Sequence, residues 1–429
     1  MPKTGAIIDS PASSDALTTD PSTKTAEPLP PTFRRGALVT LALGTFAVGT
    51  EGFMIAAILP TIATSMRESV AAVGQLVTIF SLVYAVSSPV LTALTASWPR
   101  RRLLLLSLAG FGVANLVAAA APGYWWLAAA RVLLALSAGL YVPNANAMAG
   151  SLAPPAHRGR ALAIVNGGIT LAVAIGVPLG ALVGTHFGWR ATFLGVAALT
   201  AVALAALAVR LPRDIASSPP AGLKARLAVV VQPGVLPTLV TTTLWGAGAY
   251  EVYTYVSPFL ASAASLDGGT VGLLLTLLGG AALGGITLGG VLNDRFGARA
   301  AQGVALPLLA LTFGGLTLSS LLLAPNALVP IVPLIALWGL SGWAFFPPQQ
   351  VRLIQVAGSA NTPVILSLNA SFMYLGFSLG AALGSVVITM TSVAWIGAAG
   401  TVLIVAAIGM SRFAWSRTNA TTAFPCTSV

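Results

Sequence analysis

Three ionisable side chains stand inside long apolar runs of this sequence: Glu51, Arg131 and Glu251. A charge at the centre of a membrane span costs about 2.5–3.5 kcal/mol on insertion scales, so such groups face a cavity or a partner. A carboxylate there is pulled two ways, by the desolvation that penalises its charge and by any nearby cation that stabilises it. Opening toward one side of a membrane or the other changes that balance, which is how a proton is loaded on one side and released on the other. The expectation is that Glu51 is the main proton site, Arg131 its partner, and Glu251 a second proton site or a cation-recognition site. The alternative is a static Glu51–Arg131 pair that holds the N-terminal half together.

The elements that position these groups follow from composition. Of 429 residues, 56% are apolar and 7% charged, where a soluble domain carries about 25% charged residues. Mean hydropathy is +0.90. That balance excludes a soluble enzyme and a disordered chain, and leaves a polytopic membrane protein. A spanning helix needs roughly 20 mostly apolar residues. Twelve such runs fall near 36–60, 72–97, 103–121, 125–149, 160–185, 190–210, 234–261, 270–292, 300–323, 327–348, 363–389 and 393–414. The breaks carry turn or charge signals, among them Pro99-Arg100, Gly188, Asp294-Arg295 and Pro325-Asn326. A β-barrel would show alternating segments of about 10 residues, and the sequence does not. At 1.5 Å per residue, Glu51 lies roughly 13 Å, Arg131 roughly 10 Å and Glu251 roughly 15 Å below the same face, so all three share one layer.

With the N-terminus placed in the cytoplasm, 18 of the 21 Lys and Arg fall on the cytoplasmic side, Arg67 and Arg190 fall outside, and Arg131 is buried. This is the positive-inside bias. It predicts a multi-pass protein of the bacterial cytoplasmic membrane with both termini cytoplasmic, and it removes the net charge of +11 as a sign of nucleic-acid binding. Residues 1–35, rich in Pro, Ser, Thr and Ala, read as a disordered tail rather than a signal peptide. The single cysteine, Cys426, and the two histidines, His157 and His186, cannot build a Cys- or His-based metal site. No GxxxxGK[ST] loop occurs, so ATP is not the direct drive. No cofactor and no metal are expected.

The polar stretch 211–233 separates an N-terminal half, 36–210, from a C-terminal half, 234–415, followed by a tail, 416–429. The halves repeat. Gly176-Val-Pro-Leu-Gly180-Ala-Leu-Val-Gly184 matches Gly376-Phe-Ser-Leu-Gly380-Ala-Ala-Leu-Gly384, and Ser137 to Pro143 resembles Ser341 to Pro347. Thr92-Ala-Leu94 matches Gly290-Val-Leu292. Two six-helix halves in parallel repeat predict a transporter with its site near the midplane between them.

These residues resemble the major facilitator superfamily, and within it the twelve-helix drug:proton antiporter branch. Gly290-Val-Leu292-Asn-Asp294-Arg295-Phe-Gly297-Ala-Arg299 fits the superfamily's loop signature, whereas the first-half copy has Ala96 where the acid belongs. The run Gly176-Val-Pro178-Leu-Gly180 resembles the glycine–proline motif of exporters in the superfamily. Gly49 to Phe53, Gly74-Gln75, Tyr253-Thr-Tyr255 and Pro348-Gln349-Gln350 look like the group of bacterial purine-base, sugar and chloramphenicol efflux pumps. The resemblance implies the major facilitator fold, all-α, with helices 1 and 7 facing each other across a cavity.

Aromatic and amide groups in the spans are candidates to line that cavity: Phe53, Gln75, Tyr141, Asn166, Tyr250, Tyr253, Trp343, Asn369 and Phe372. Binding pockets mix apolar walls with a few polar anchors in this way, though packing is an ordinary role for each alone. Gly176, Pro178 and Gly180 would bring helices close and form a hinge. Asp294, Arg295 and Arg299 would latch helix 8 to a neighbouring helix end. The expected function is proton-driven export of small amphipathic molecules, such as drugs or purines, by a monomer in the lipid bilayer. A nutrient importer is the alternative. An intramembrane enzyme is disfavoured because neither histidine is placed for such chemistry, and a channel because the repeat is two-fold.

Overall fold

The structure, a computed structural model, describes residues 35–154, 157–211 and 222–422. The expected N-terminal tail through Arg34, the middle of the linker at 212–221, and the last residues with Cys426 lie outside the described residues. The first six spans are α1 (Arg35–Met66), α2 (Val70–Leu94), α3 (Arg100–Ala119), α4 (Tyr124–Ser151), α5 (Arg158–Phe187) and α6 (Trp189–Arg210). A short helix, Leu223–Val230, precedes the second six. Span α7 is Val235–Thr254, continued after Tyr255 by Val256–Ala264. The continuous helix Gly268–Leu323 holds α8 (268–296) and α9 (298–323). The last three are α10 (Leu328–Ala357), α11 (Thr362–Met390) and α12 (Ile396–Thr422). The fold is all-α, with twelve spans in two halves of six.

Local chemistry explains the boundaries. Ser69 caps α2 by accepting from the Ala72 N–H (3.0 Å), and Asp267 caps α8 by accepting from the Thr270 N–H (2.8 Å); both satisfy an amide left over at a helix start. The break between α8 and α9 falls at Gly297, whose φ of 80° suits a residue without a Cβ. The sequence signal places the break at Asp294-Arg295, but those residues continue α8. Helix also runs beyond the apolar limits at α10, where Phe346–Ala357 extends the span, and at α12, which reaches Thr422 and takes in the start of the expected tail. A helix that has left the bilayer needs no apolar run, because one face still packs on its neighbours and the other meets water. In the linker, Arg226 donates to Ser367 Oγ of α11 (2.8 Å), and Val229 joins a satellite core with Val235, Leu239, Leu353 and Leu368.

An even number of spans puts the start of α1 and the end of α12 on one face, the terminal face. The halves meet from the midplane to the opposite face. Ser385 Oγ donates to Ala71 O and Ser378 Oγ to Thr78 O, both at 3.1 Å. Helices α5 and α8 touch at Thr185 with Gly268, Ala181 with Gly272, and Ala174 with Gly279. One or two turns farther along the same faces, Gly167, Leu283 and Thr287 are exposed, and a Cβ on Gly167 or Gly290 would meet nothing within 4 Å. The molecule is therefore closed at the opposite face and open toward the terminal face.

Candidate functional site

Glu51 and Arg131 are fully buried and form an ion pair through Glu51 Oε1 and Arg131 Nη1. It is the ion pair found among the described residues. Arg131 Nε donates to Leu76 O (3.2 Å), and its guanidinium lies 4.3 Å from the Phe80 ring centroid, a cation–π contact. Elements α1, α2 and α4 thus converge on one charge pair. Glu51 Oε2 and Arg131 Nη2 have no hydrogen-bond partner among the described residues, so the pair keeps capacity for a further ligand or a proton.

Glu251 is level with Glu51, because its neighbours bond to the neighbours of Glu51. Tyr250 Oη donates to Gly52 O (3.2 Å) and Tyr253 Oη to Phe53 O (3.0 Å). The shared layer read from span depth is present. The shared face is not, and the glycine stripes explain why. A Cβ on Gly176, Gly180 or Gly184 of α5 would meet Thr50, Met54 or Ile58 of α1, while one on Gly376, Gly380 or Gly384 of α11 would meet Thr243, Ala247, Glu251 and Tyr255 of α7. Glu251 therefore belongs to the stripe that faces the glycines. Glu51 lies one residue, about 100° of helix rotation, away from its own stripe and turns to α4. Both Glu251 carboxylate oxygens are buried with no hydrogen-bond partner among the described residues.

The wall between the halves is aromatic. Phe53 meets Tyr250, Tyr253, Trp343 and Phe377 with ring centroids 5.8–6.5 Å apart. Tyr250 stacks on Phe377 at 3.9 Å, and Tyr84 on Tyr374 across the halves at 3.7 Å. Four of the sequence candidates, Phe53, Tyr250, Tyr253 and Trp343, thus come together. Phe80, Tyr84, Tyr374 and Phe377 were missed, although the pairs Phe80/Tyr84 and Tyr374/Phe377 carry the i, i+4 and i, i+3 spacing of one helix face.

The other candidates are scattered. Tyr141 is fully buried inside the N-terminal half, donating to Leu41 O (3.2 Å) and packed on Gly44; it serves α1–α4 packing rather than a cavity wall. Gln75 is half-buried beside Gly74, which packs on Tyr255. Asn166 is exposed on the terminal side and accepts from Asn146 Nδ2 (3.2 Å). Phe372 packs on the satellite core. Asn369 belongs to a buried chain that the spacing did not disclose. Ser411 Oγ and Trp415 Nε1 donate to Gln302 Oε1 (3.1 and 3.3 Å), and Gln302 Nε2 donates to Gln349 Oε1 (2.6 Å). Gln349 Nε2 donates to Thr242 Oγ1 (2.8 Å), which donates to Asn369 Oδ1 (2.8 Å). A run of Gln, Asn and Thr at span depth was the available signal.

Of the conformational candidates, Gly176 ends a π-turn, Ala172–Gly176, in which the Val177 N–H reaches back to Ala172 O. Pro178 follows at once and has no N–H to restore the α-helical ladder, so α5 is locally loosened where it passes Thr50. Asp294, Arg295 and Arg299 are exposed. Asp294 accepts from Asn293 (3.3 Å) and Arg299 faces α12; among the described residues none of the three forms an ion pair with another helix end.

The comparisons with known proteins agree with this architecture. A sequence model described as Major Facilitator Superfamily matches residues 41–381. The chain is 35% identical to an uncharacterized MFS-type transporter, YbcL, of Bacillus subtilis (strain 168), over 86% of this chain and 93% of that one. It is 31% identical to a chloramphenicol resistance protein of Streptomyces lividans, over 82% of this chain and 88% of that one. The solved structure of a bacterial homolog of the human lysosomal transporter Spinster shares the fold with a TM-score of 0.72 at 18% identity, covering 92% of this chain and 99% of that one.

Proposed function

Because this chain belongs to the Major Facilitator Superfamily and is a multi-pass membrane transporter, we propose that it is a proton-coupled exporter of small amphipathic molecules working by alternating access. One observation carries this reading. The buried pair Glu51–Arg131 is flanked in sequence by Gly52 and Phe53, whose carbonyls accept the hydrogen bonds of Tyr250 and Tyr253 from the other half. Rocking of the halves breaks those bonds and readmits water to Glu51, so its proton affinity changes with the side to which the protein is open. In the closed opposite-side arrangement, ionised Glu51 is held by Arg131. In the reverse arrangement, a proton from outside neutralises Glu51 and is carried inward as the halves rock back.

Substrate binds against the aromatic wall of Phe53, Tyr250, Tyr253 and Trp343, and Glu251 adds a second proton or cation site. The terminal face is cytoplasmic, in accord with its excess of Lys and Arg, so the protein works in the bacterial inner membrane, as a monomer and without a cofactor. The likeness to a chloramphenicol resistance protein supports export and drug-like substrates. The test is reconstitution into proteoliposomes with an imposed proton gradient, paired with expression in an efflux-deficient host challenged with antibiotics, purine analogues and sugars. Protonophore-sensitive protection and proton-driven uptake lost in Glu51→Gln support the proposal. Gradient-independent transport, or uptake unchanged in both Glu51→Gln and Glu251→Gln, overturns it.

A further inference from the structure

Away from the aromatic wall, a cavity of about 240 Å³ opens between α9 and α12 at the terminal face. It is lined by Arg299, Gln302 and Gly303 of α9 and by Ser411, Arg412 and Trp415 of α12, with Leu306, Pro307 and Ile408 deeper in. The function proposed above makes no use of it. Arg299 and Arg412 are exposed, and neither forms an ion pair among the described residues. The floor is set, because Gln302 is 2% exposed and its Oε1 accepts from Ser411 and Trp415. That leaves the two guanidiniums as the groups with donors to spare. Arg299 and Gln302 stand in the first turns of α9, whose start at Gly297 adds the favourable potential of a helix N-terminus for an anion.

The surroundings say which anion. Among the described residues, Asp294 is the acid on this face, so a diffusing anion meets little repulsion. The outer sides of both helices carry exposed apolar residues along their length, including Val304, Leu311 and Leu318 of α9 and Val402 and Val405 of α12. A ligand with a charged head and long apolar tails matches a cationic cavity that continues into an apolar seam. Basic pockets between helices at the cytoplasmic level suit lipid phosphates in this way. We propose that this cavity binds the phosphate-bearing headgroup of an anionic phospholipid, with Arg299 and Arg412 as a clamp and the acyl chains along the α9–α12 seam. Occupancy would tie α12 to α9 on the half that carries the Gln302–Gln349 chain.

The experiment is native mass spectrometry of the purified full chain titrated with phosphatidylglycerol or phosphatidylcholine. Wild type should retain phosphatidylglycerol preferentially. The double variant Arg299→Gln/Arg412→Gln should weaken that retention on the order of tenfold. Gly303→Leu should do the same with both arginines present, because a Cβ at Gly303 meets open space and the longer side chain fills the cavity. Arg102→Gln, an exposed cation of the same face outside the cavity, should retain the lipid like wild type. Equal retention of the two lipids, unchanged retention in the double variant and Gly303→Leu, or an equal loss in Arg102→Gln overturns the proposal. Displacement of the lipid by millimolar inorganic phosphate also overturns it and assigns the cavity to free phosphate.

Discussion

Glu51 and Glu251 sit at one depth on corresponding helices of the two halves, yet among the described residues only Glu51 has a counter-ion. The repeat that aligns Ser137 with Ser341 places Ile335 opposite Arg131, and Ile335 is buried in α10. The N-terminal half therefore centres on a charge pair. The C-terminal half centres on an acid without a hydrogen-bond partner among the described residues, with a neutral amide–hydroxyl chain nearer the terminal face. The lesson is that a duplicated scaffold fixes backbone approach, through Gly176–Gly184 and Gly376–Gly384, while leaving the chemistry at each centre free to diverge. In the N-terminal half the acid is held by an arginine. In the C-terminal half both carboxylate oxygens are buried with no hydrogen-bond partner among the described residues.

The largest expected effect tests that contrast directly. Glu51→Gln strands Arg131 as a buried charge, which should cost about 3–5 kcal/mol of stability and abolish proton-driven transport; thermal unfolding in detergent and proteoliposome uptake measure the two. Glu251→Gln removes no partner and should change stability by less than about 1 kcal/mol while reducing coupling. Equal destabilisation by both substitutions would erase the distinction between the centres.

Next in size is the glycine contact. Gly384→Ala places a Cβ against the Tyr255 ring and Glu251, and should lower both stability and transport, since overpacking costs roughly 1–3 kcal/mol. Gly180→Ala meets Met54 Cβ at 3.0 Å, a looser approach than that of Gly384 to the Tyr255 ring at 2.5 Å, and should be milder in the same assays. A harsher outcome at Gly180 would reverse the order of these two contacts.

Gln349→Leu should destabilise the C-terminal half by about 1–3 kcal/mol, because Gln302 Nε2 loses its acceptor and Thr242 Oγ1 and Thr238 O lose their donor; hydrogen exchange confined to α7, α9 and α10 would show it. The smallest effect distinguishes the caps. The hydrogen bond from the Thr270 N–H holds the Asp267 carboxyl below its usual value of 3.8. A lowered value in the folded protein means that this cap's contribution is present above the unfolded value and is lost as pH falls through the folded one. The start of α8 should therefore exchange faster only under strongly acid conditions. The start of α2, capped by neutral Ser69, should show no such step.

Most of the scaffold was legible in the sequence because lipid imposes a simple condition. Every spanning backbone must bond to itself, so spans appear as apolar runs of fixed length with polar punctuation. That condition located twelve helices, the two halves and the three charges, and their common depth allowed Arg131 to pair with either glutamate; the structure pairs it with Glu51. It could not locate the ends of α10 and α12, where helix continues beyond the bilayer. It was silent on Phe80, Tyr84, Tyr374 and Phe377, since an aromatic ring in an apolar run looks the same whether it meets lipid, its own half or the other half. Tyr141 shows the reverse error, a cavity candidate that serves packing.

What the sequence determined by itself is therefore the class of protein, the helix order, the repeat and the depth of its buried charges. Only the tertiary structure decided which way those charges face. Each residue along a helix turns the side chain by about 100°, and the close approach of α5 to α1 and of α11 to α7 sets that rotation separately in each half. Two glutamates 200 residues apart on repeated helices thus came to face different neighbours, one an arginine and the other a glycine stripe.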